Sequence, residues 1–196
     1  MTHNLIERAL AGDEAAAREL HDTHYPAVIR LAYMLLQNLQ DAEDAVQDAF
    51  IYAFEHLARY DPERAVFATW LKIIVTSRCR DIQRRHRRVK WLSLQALMET
   101  GHEPEDESPG RQPDVVLELV GVRQVVWEAL EQVPPKSRQA LILRYFSGLS
   151  YPEMALALDC PVSTAKSRVA YGLQKLALLL EQEAVVAMDY RMENVP

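Results

Sequence analysis

The chain has 196 residues, with 49% hydrophobic and 26% charged residues and a formal net charge of −6. That composition suits a soluble protein with enough apolar material for one medium or two small cores. No apolar run approaches the ~20 residues that span a bilayer, and Met1–Leu10 carries Glu7 and Arg8 with no apolar core of a signal peptide, so a cytoplasmic protein without membrane insertion is expected. Residues 4–36 then read as helix: Leu5, Ile6, Ala9 and Leu10 share a face, Ala11-Gly12-Asp13 breaks it, and the helical spacing resumes at Ala16 and runs to Leu36. Pro26 opens a new helix or kinks the old one.

Gln37–Gln40 has turn character. Asp41 follows as the expected N-cap, with Asp44 three residues on, and a helix runs from it to about Arg59 with Val46, Ala49, Phe50, Ala53, Phe54 and Leu57 as its buried stripe. Tyr60–Arg64 is a loop, since Asp61-Pro62 initiates a turn. Residues 67–89 return to helix, apolar at first and then densely basic.

Charge is segregated along this half. Residues 1–58 hold ten acids against three arginines, and residues 59–90 hold ten bases against three acids. The second segment suits a polyanion and the first a protein surface.

Residues 99–114 mix acids with Pro104, Pro109, Pro113, Gly101 and Gly110, a linker with no core-forming pattern. Residues 115–133 are predicted helical, stopped by Pro134-Pro135. Helices over about 136–146, 151–158 and 162–183 follow. No stretch alternates as a strand does. The expected fold is all-α: two small helical domains joined by a flexible acidic linker.

In the rear module Ser150 is the expected N-cap, Pro152 an early helical residue and Glu153 the capping-box acid. Asp159-Cys160-Pro161 makes a tight turn into a helix that starts Ser163-Thr164-Ala165-Lys166-Ser167-Arg168. Two short helices with such a turn form a helix-turn-helix, and small polar and basic side chains at the second N-terminus suit a DNA groove. A plain helical hairpin is the bland alternative; the cap, the turn and the polar first turn together argue against it. Cys79 and Cys160 read as two reduced thiols, and no histidine spacing suggests a metal. No nucleophile–base pair, metal constellation or glycine-rich phosphate loop is present, so neither enzyme chemistry nor a cofactor is expected.

These strings, taken in order, resemble a known family. Val133–Phe146, Gly148–Ala155 and Cys160–Arg168 resemble region 4 of extracytoplasmic-function sigma factors, the small sigma-70-family subunits of bacterial RNA polymerase. Arg30–Tyr33, Asp41–Phe50, Tyr60–Pro62 and Phe67–Leu71 resemble their region 2. The resemblance implies region 2 over 1–92, a linker over 93–118, region 4 over 119–183 and a tail over 184–196. It implies that Asp41, Asp44, Gln47 and Asp48 dock on the clamp helices of core RNA polymerase. It places Tyr60 and Asp61 where a flipped base of the melting downstream (−10) element is received, with Lys72, Arg78, Arg80, Arg84, Arg85, Arg87 and Arg88 along the phosphates. Trp70 stacks on a base or closes the core beside Leu71 and Ile74, and its place in the buried pattern favours the core.

For the duplex upstream (−35) element it implies Ser163, Thr164, Lys166, Ser167, Arg168 and Tyr171. Two residues depart from the family. Asp159 replaces a frequent turn glycine, which is tolerable because Asp accepts left-handed backbone angles. Tyr171 replaces a base-reading arginine of some members, and tyrosine does not read guanine as arginine does. The resemblance further implies an anti-sigma partner. The linker is either an occupant of the polymerase's RNA exit path or a tether, and residues 184–196 are a frayed tail, a partner contact or a self-inhibitory segment. A free-standing helix-turn-helix regulator with a helical sensor domain is the competing reading; it predicts DNA binding without polymerase.

Overall fold

The computed structural model describes residues 2–100 and 124–193, which are helical with short connections and contain no strand. The predicted linker core and the predicted helical start at 115–123 lie outside the described residues. The chain divides into two compact units, 1–113 and 114–196.

In the first unit, α1 (Thr2–Leu10) buries Leu5 and Ile6. Gly12 takes a φ of +88° and reverses the chain. Asp13 then caps α2 (Glu14–Leu36), accepting from the N–H of Ala15 at 2.9 Å and Ala16 at 3.1 Å while Arg8 donates to its other oxygen. Pro26 sits inside a continuous α2 rather than opening a new helix. The helix stops at Gln37, in the left-handed region at φ +57°.

Here the structure corrects the sequence reading. The N-cap of α3 (Leu39–Glu55) is Asn38, not Asp41. Asn38 is extended and its side chain accepts the Asp41 N–H at 2.9 Å. Asp41 is a first-turn carboxylate, favoured there by the helix dipole. The α3 core face is built from Ala42, Ala45, Val46, Ala49, Phe50 and Ala53, small enough for α2 and α4 to approach closely. A single 3₁₀ turn, Leu57–Arg59, leads to the loop over 60–66.

Helix α4 (Phe67–Thr100) extends beyond the predicted end at 89. Its buried stripe is Phe67, Leu71, Ile74, Val75, Cys79 and Ile82. Full burial of Leu20, Leu31 and Leu71 contributes about 1.5–3 kcal/mol each. Gln83 fixes the helix lengthwise, its amide donating at 2.7 Å to the Leu35 carbonyl at the end of α2. From 84 to 91 every side chain is exposed.

In the second unit, α5 (Gln124–Gln132) buries Trp127, Ala129 and Leu130. Pro135 opens α6 (Pro135–Leu141), where its missing N–H costs nothing. The predicted plain helix to 146 instead widens into a π turn over Ile142–Phe146, closed by the Ser147 N–H on the Ile142 carbonyl at 3.0 Å. Gly148, at φ +72°, then lets the Leu149 N–H reach back to Leu143 at 3.0 Å. α7 (Tyr151–Leu158) and α8 (Val162–Glu193) complete the unit. Gly172 lets α8 sit hard against α6: a Cβ there would stand 2.9 Å from Leu141 Cγ and 3.3 Å from the Ser137 carbonyl.

Candidate nucleic-acid and polymerase interfaces

Three surfaces hold the predicted residues, two in the first unit and one in the second. On α3, Asp44, Gln47 and Asp48 are exposed at helical spacing and share one face with Glu43, Glu55 and a half-exposed Ile51. Asp41 does not join them. Its side chain is only 20% exposed and faces α4, where His86 Nε2 lies 3.6 Å away. Ile51 was missed by sequence reasoning because one apolar residue on a charged face leaves no periodic signal.

The loop over 60–66 and the start of α4 form the second surface. The Tyr60 ring packs against Phe67 and Trp70, at centroid distances of 5.7 and 5.4 Å, and its hydroxyl donates to the Ala65 carbonyl at 3.0 Å. Burial pushes its phenol pKa up. Asp61 accepts the Glu63 N–H at 3.0 Å and pairs with Arg64 at 3.2 Å. Tyr60 and Asp61 thus hold the loop's shape. Asp61, Pro62, Glu63, Arg64 and Val66 are all exposed along the loop, Val66 at 68%. Trp70 is half-buried, so neither the core nor a free stacking platform describes it: one part of the indole closes the aromatic cluster and the rest faces water. Behind the cluster, His24 lies against Phe67 at 5.1 Å with its Nε2 buried and unbonded. Burial and the nearby Lys72 charge hold its imidazole pKa down.

The predicted basic row divides in two. Lys72, Arg78 and Arg80 are half-buried; the Arg78 guanidinium lies 4.7 Å over the Tyr52 ring, which itself stacks on His56 at 4.1 Å. Arg84, Arg85, Arg87 and Arg88 are exposed and can reach a polyanion without breaking a core contact.

The third surface is the helix-turn-helix. The capping box is complete: the Ser150 N–H donates to Glu153 Oε2 at 2.6 Å and the Glu153 N–H to Ser150 Oγ at 3.4 Å. Asp159 takes the left-handed conformation at φ +49°, as the sequence reading requires. The Cys160 N–H then bonds the Ala155 carbonyl at 3.0 Å and the Asp159 N–H the Leu156 carbonyl at 3.3 Å, the pairing of a Schellman motif. On α8, Ser163, Lys166, Ser167 and Tyr171 are exposed. Thr164 and Arg168 are half-buried, with Arg168 Nη1 3.7 Å from Cys160 Sγ. Lys166 Nζ lies 5.7 Å from the centre of the Tyr151 ring and Arg144 Cζ 5.0 Å from it. Each such contact at an exposed site contributes about 0.5–1 kcal/mol. Arg144, which also donates to the Leu149 carbonyl at 3.0 Å, and Tyr151 therefore adjoin the first turns of α8, although neither was singled out from sequence.

The family profile for Sigma-70 region 2 matches residues 20–89, and that for Sigma-70, region 4 matches residues 123–176. The RNA polymerase sigma factor NccH of Alcaligenes xylosoxydans xylosoxydans is 34% identical over 183 residues, covering 92% of this chain and 95% of its own. The chain belongs to the extracytoplasmic-function group of the sigma-70 family. Another member, the ECF RNA polymerase sigma factor SigE of Mycolicibacterium smegmatis, is 34% identical over 168 residues, 84% of this chain; the match spans 63% of SigE. The solved structure of CnrH in complex with the cytosolic domain of CnrY superposes with a TM-score of 0.61 at 26% identity, over 91% of this chain and 96% of that one. The sigma factor's function is promoter-specific transcription initiation with RNA polymerase. Among the described residues no helix is long and apolar enough to cross a membrane, and no cluster of three or more His, Cys, Asp or Glu side chains is arranged to hold a metal.

Proposed function

We propose a division of labour in which the acidic face of α3 grips core RNA polymerase and the two basic surfaces grip promoter DNA. Asp44, Gln47 and Asp48 make the polymerase contact, and Asp41 contributes by holding α3 against the α4 His86. The loop over 60–66, shaped by Tyr60 within and by the exposed Asp61, presents its open side and the open part of Trp70 to the melting downstream element. Capture of an unstacked base there offsets part of the cost of opening the duplex. Arg84, Arg85, Arg87 and Arg88 hold phosphates; Lys72, Arg78 and Arg80 shape the ground beneath them. Ser163, Lys166 and Ser167 enter the major groove of the upstream element, flanked by Thr164, Arg168 and Tyr171. The segments 1–92 and 119–183 act as these two grips, with 93–118 between them and 184–196 outside both. Phosphodiester synthesis belongs to the polymerase, and the site of action is the cytoplasm, where polymerase and template are.

The observation that carries this reading is the exposed polar first turn of α8, fixed by a complete capping box and a Schellman turn. CnrH was solved in complex with the cytosolic domain of CnrY; for this chain an anti-sigma protein is proposed as a partner. Run-off transcription with purified core polymerase tests the reading. A combined Lys166→Ala, Ser167→Ala and Arg168→Ala variant is expected to lose upstream-dependent transcripts and keep core affinity. Loss of core affinity in that variant would overturn the division of labour.

A further inference from the structure

The basic stretch of α4 carries an aromatic side chain that no role above uses. Ile82 is the last buried residue of the stripe among the described side chains, and the helix then runs through Arg84, Arg85, His86, Arg87, Arg88, Val89, Lys90 and Trp91 without an acid. Trp91 is 61% exposed. Arg84, Arg87, Arg88 and Trp91 recur at helical spacing and so share one face over about 10 Å of axis. Arg84 and Arg87 are steadied from within the helix, by Asp81 at 3.9 Å and by the Gln83 carbonyl at 3.3 Å.

An indole left in water forgoes one of the largest burial gains of any side chain. A row of guanidiniums ending in an indole has a natural complement in nucleic acid, which offers phosphates to the first and sugar or base faces to the second. An acidic protein surface would pair with the arginines but need not offer the indole a flat partner, whereas every base has a π face. We propose that Trp91 is a DNA contact of the sigma factor, its indole lying against a base or deoxyribose of the strand whose phosphates Arg84, Arg87 and Arg88 hold. The inference rests on the reading of α4 as a DNA-binding helix, and it adds an aromatic contact to the electrostatic one.

The test uses holoenzyme assembled from the full chain and core RNA polymerase. The probes are a promoter fragment identified by run-off transcription, one copy fully duplex and one forked with a single-stranded tail. Trp91→Leu is expected to weaken binding about tenfold while Trp91→Phe stays within about threefold, because a π face and not mere bulk is required. Neither variant should change the slope of log affinity against log salt, since no charge is removed. Loss on both fragments identifies sugar packing in the duplex, loss on the fork alone identifies an unpaired base, and either supports the contact. Wild-type binding by Trp91→Leu on both fragments overturns it, as does a fall in core affinity, which would make Trp91 a protein contact. A variant with Arg84, Arg87 and Arg88 all changed to Ala separates the two levels. If it loses affinity while Trp91→Leu does not, only the Trp91 inference fails; if it loses none, the underlying reading of α4 fails.

Discussion

Replacing Gly172 with Ala sets two opposing effects against each other on the helix that carries Lys166, Ser167 and Arg168. Within a helix, alanine is favoured over glycine by about 1 kcal/mol. The new methyl, however, would stand 2.9 Å from Leu141 Cγ and 3.0 Å from its Cδ1. Leu141 is buried, Cγ is not the free end of its side chain, and the Ser137 carbonyl behind it is backbone, so the strain cannot be relieved by one rotamer change. Overpacking of this kind costs about 1–3 kcal/mol. The net expectation is therefore a destabilisation of the second unit by up to roughly 2 kcal/mol, and more for Gly172→Val. Urea unfolding followed at Trp127, the buried tryptophan of that unit, reads it directly. Removing the obstacle should couple the sites: Gly172→Ala with Leu141→Ala should cost about 1 kcal/mol less than the two changes summed. A Gly172→Ala protein stabilised by about 1 kcal/mol, the helix-propensity value alone, would refute the close-packing account.

Other expectations follow from single contacts. Ser150→Ala removes half of the capping box and should cost about 1 kcal/mol in thermal unfolding of the second unit, whereas Glu153→Gln should be nearly silent because glutamine completes the same box. The depressed pKa of His24 means that the unfolded chain, titrating near 6.5, binds the proton more readily than the folded one. Its contribution to first-unit stability is present above that value and is lost as pH falls from it through the lower folded pKa. The drop in melting temperature from pH 7.5 to 5.5 should shrink in His24→Leu; parallel drops in the two proteins would count against the assignment. A thiol reagent should label native protein at half-buried Cys160 and leave Cys79 untouched until urea is added, because Cys79 is 1% exposed and burial pushes its pKa up.

The helical layout was legible because the helices carry apolar stripes and several of the connections hold a turn or cap residue, as at Gly12, Asn38, Pro134 and Asp159. The misreadings share a cause, since each turns on a choice between neighbours with the same chemistry. Asn38 and Asp41 are both good N-caps one turn apart, and the left-handed Gln37 before Asn38 decides between them. The π turn over Ile142–Phe146 keeps the apolar pattern of an ordinary helix, so its hydrogen-bond slip leaves no trace in sequence. The capping box and the left-handed Asp159 were legible because there the local chemistry admits one solution. Tyr60 and Asp61 stand out in the sequence, but a sequence does not say whether a loop's polar groups face a ligand or one another. Here the Tyr60 hydroxyl turns inward to the Ala65 carbonyl, whereas the Asp61 carboxylate holds the Glu63 N–H and Arg64 while remaining exposed.

The basic row of α4 carries the same lesson into a measurable quantity. Arg78 and Arg88 are identical in sequence terms, both arginines of one positively charged helix. The buried stripe separates them: Arg78 lies along it, over Tyr52, with its Nε shut away from solvent, and Arg88 lies six residues beyond Ile82, on the exposed stretch over 84–91. A guanidinium already committed to a ring contributes to the helix junction, whereas an exposed one displaces a counterion from DNA. In holoenzyme binding to promoter DNA, Arg88→Ala should therefore lower the slope of log affinity against log salt by about one, the value for one lost phosphate contact. Arg78→Ala should leave that slope in place and instead lower the melting temperature of the first unit, by losing the Tyr52 contact and its packing. If Arg78→Ala changes the slope as Arg88→Ala does, the ring contact is released on binding, and burial in the free protein is the wrong guide to which arginines hold the phosphates.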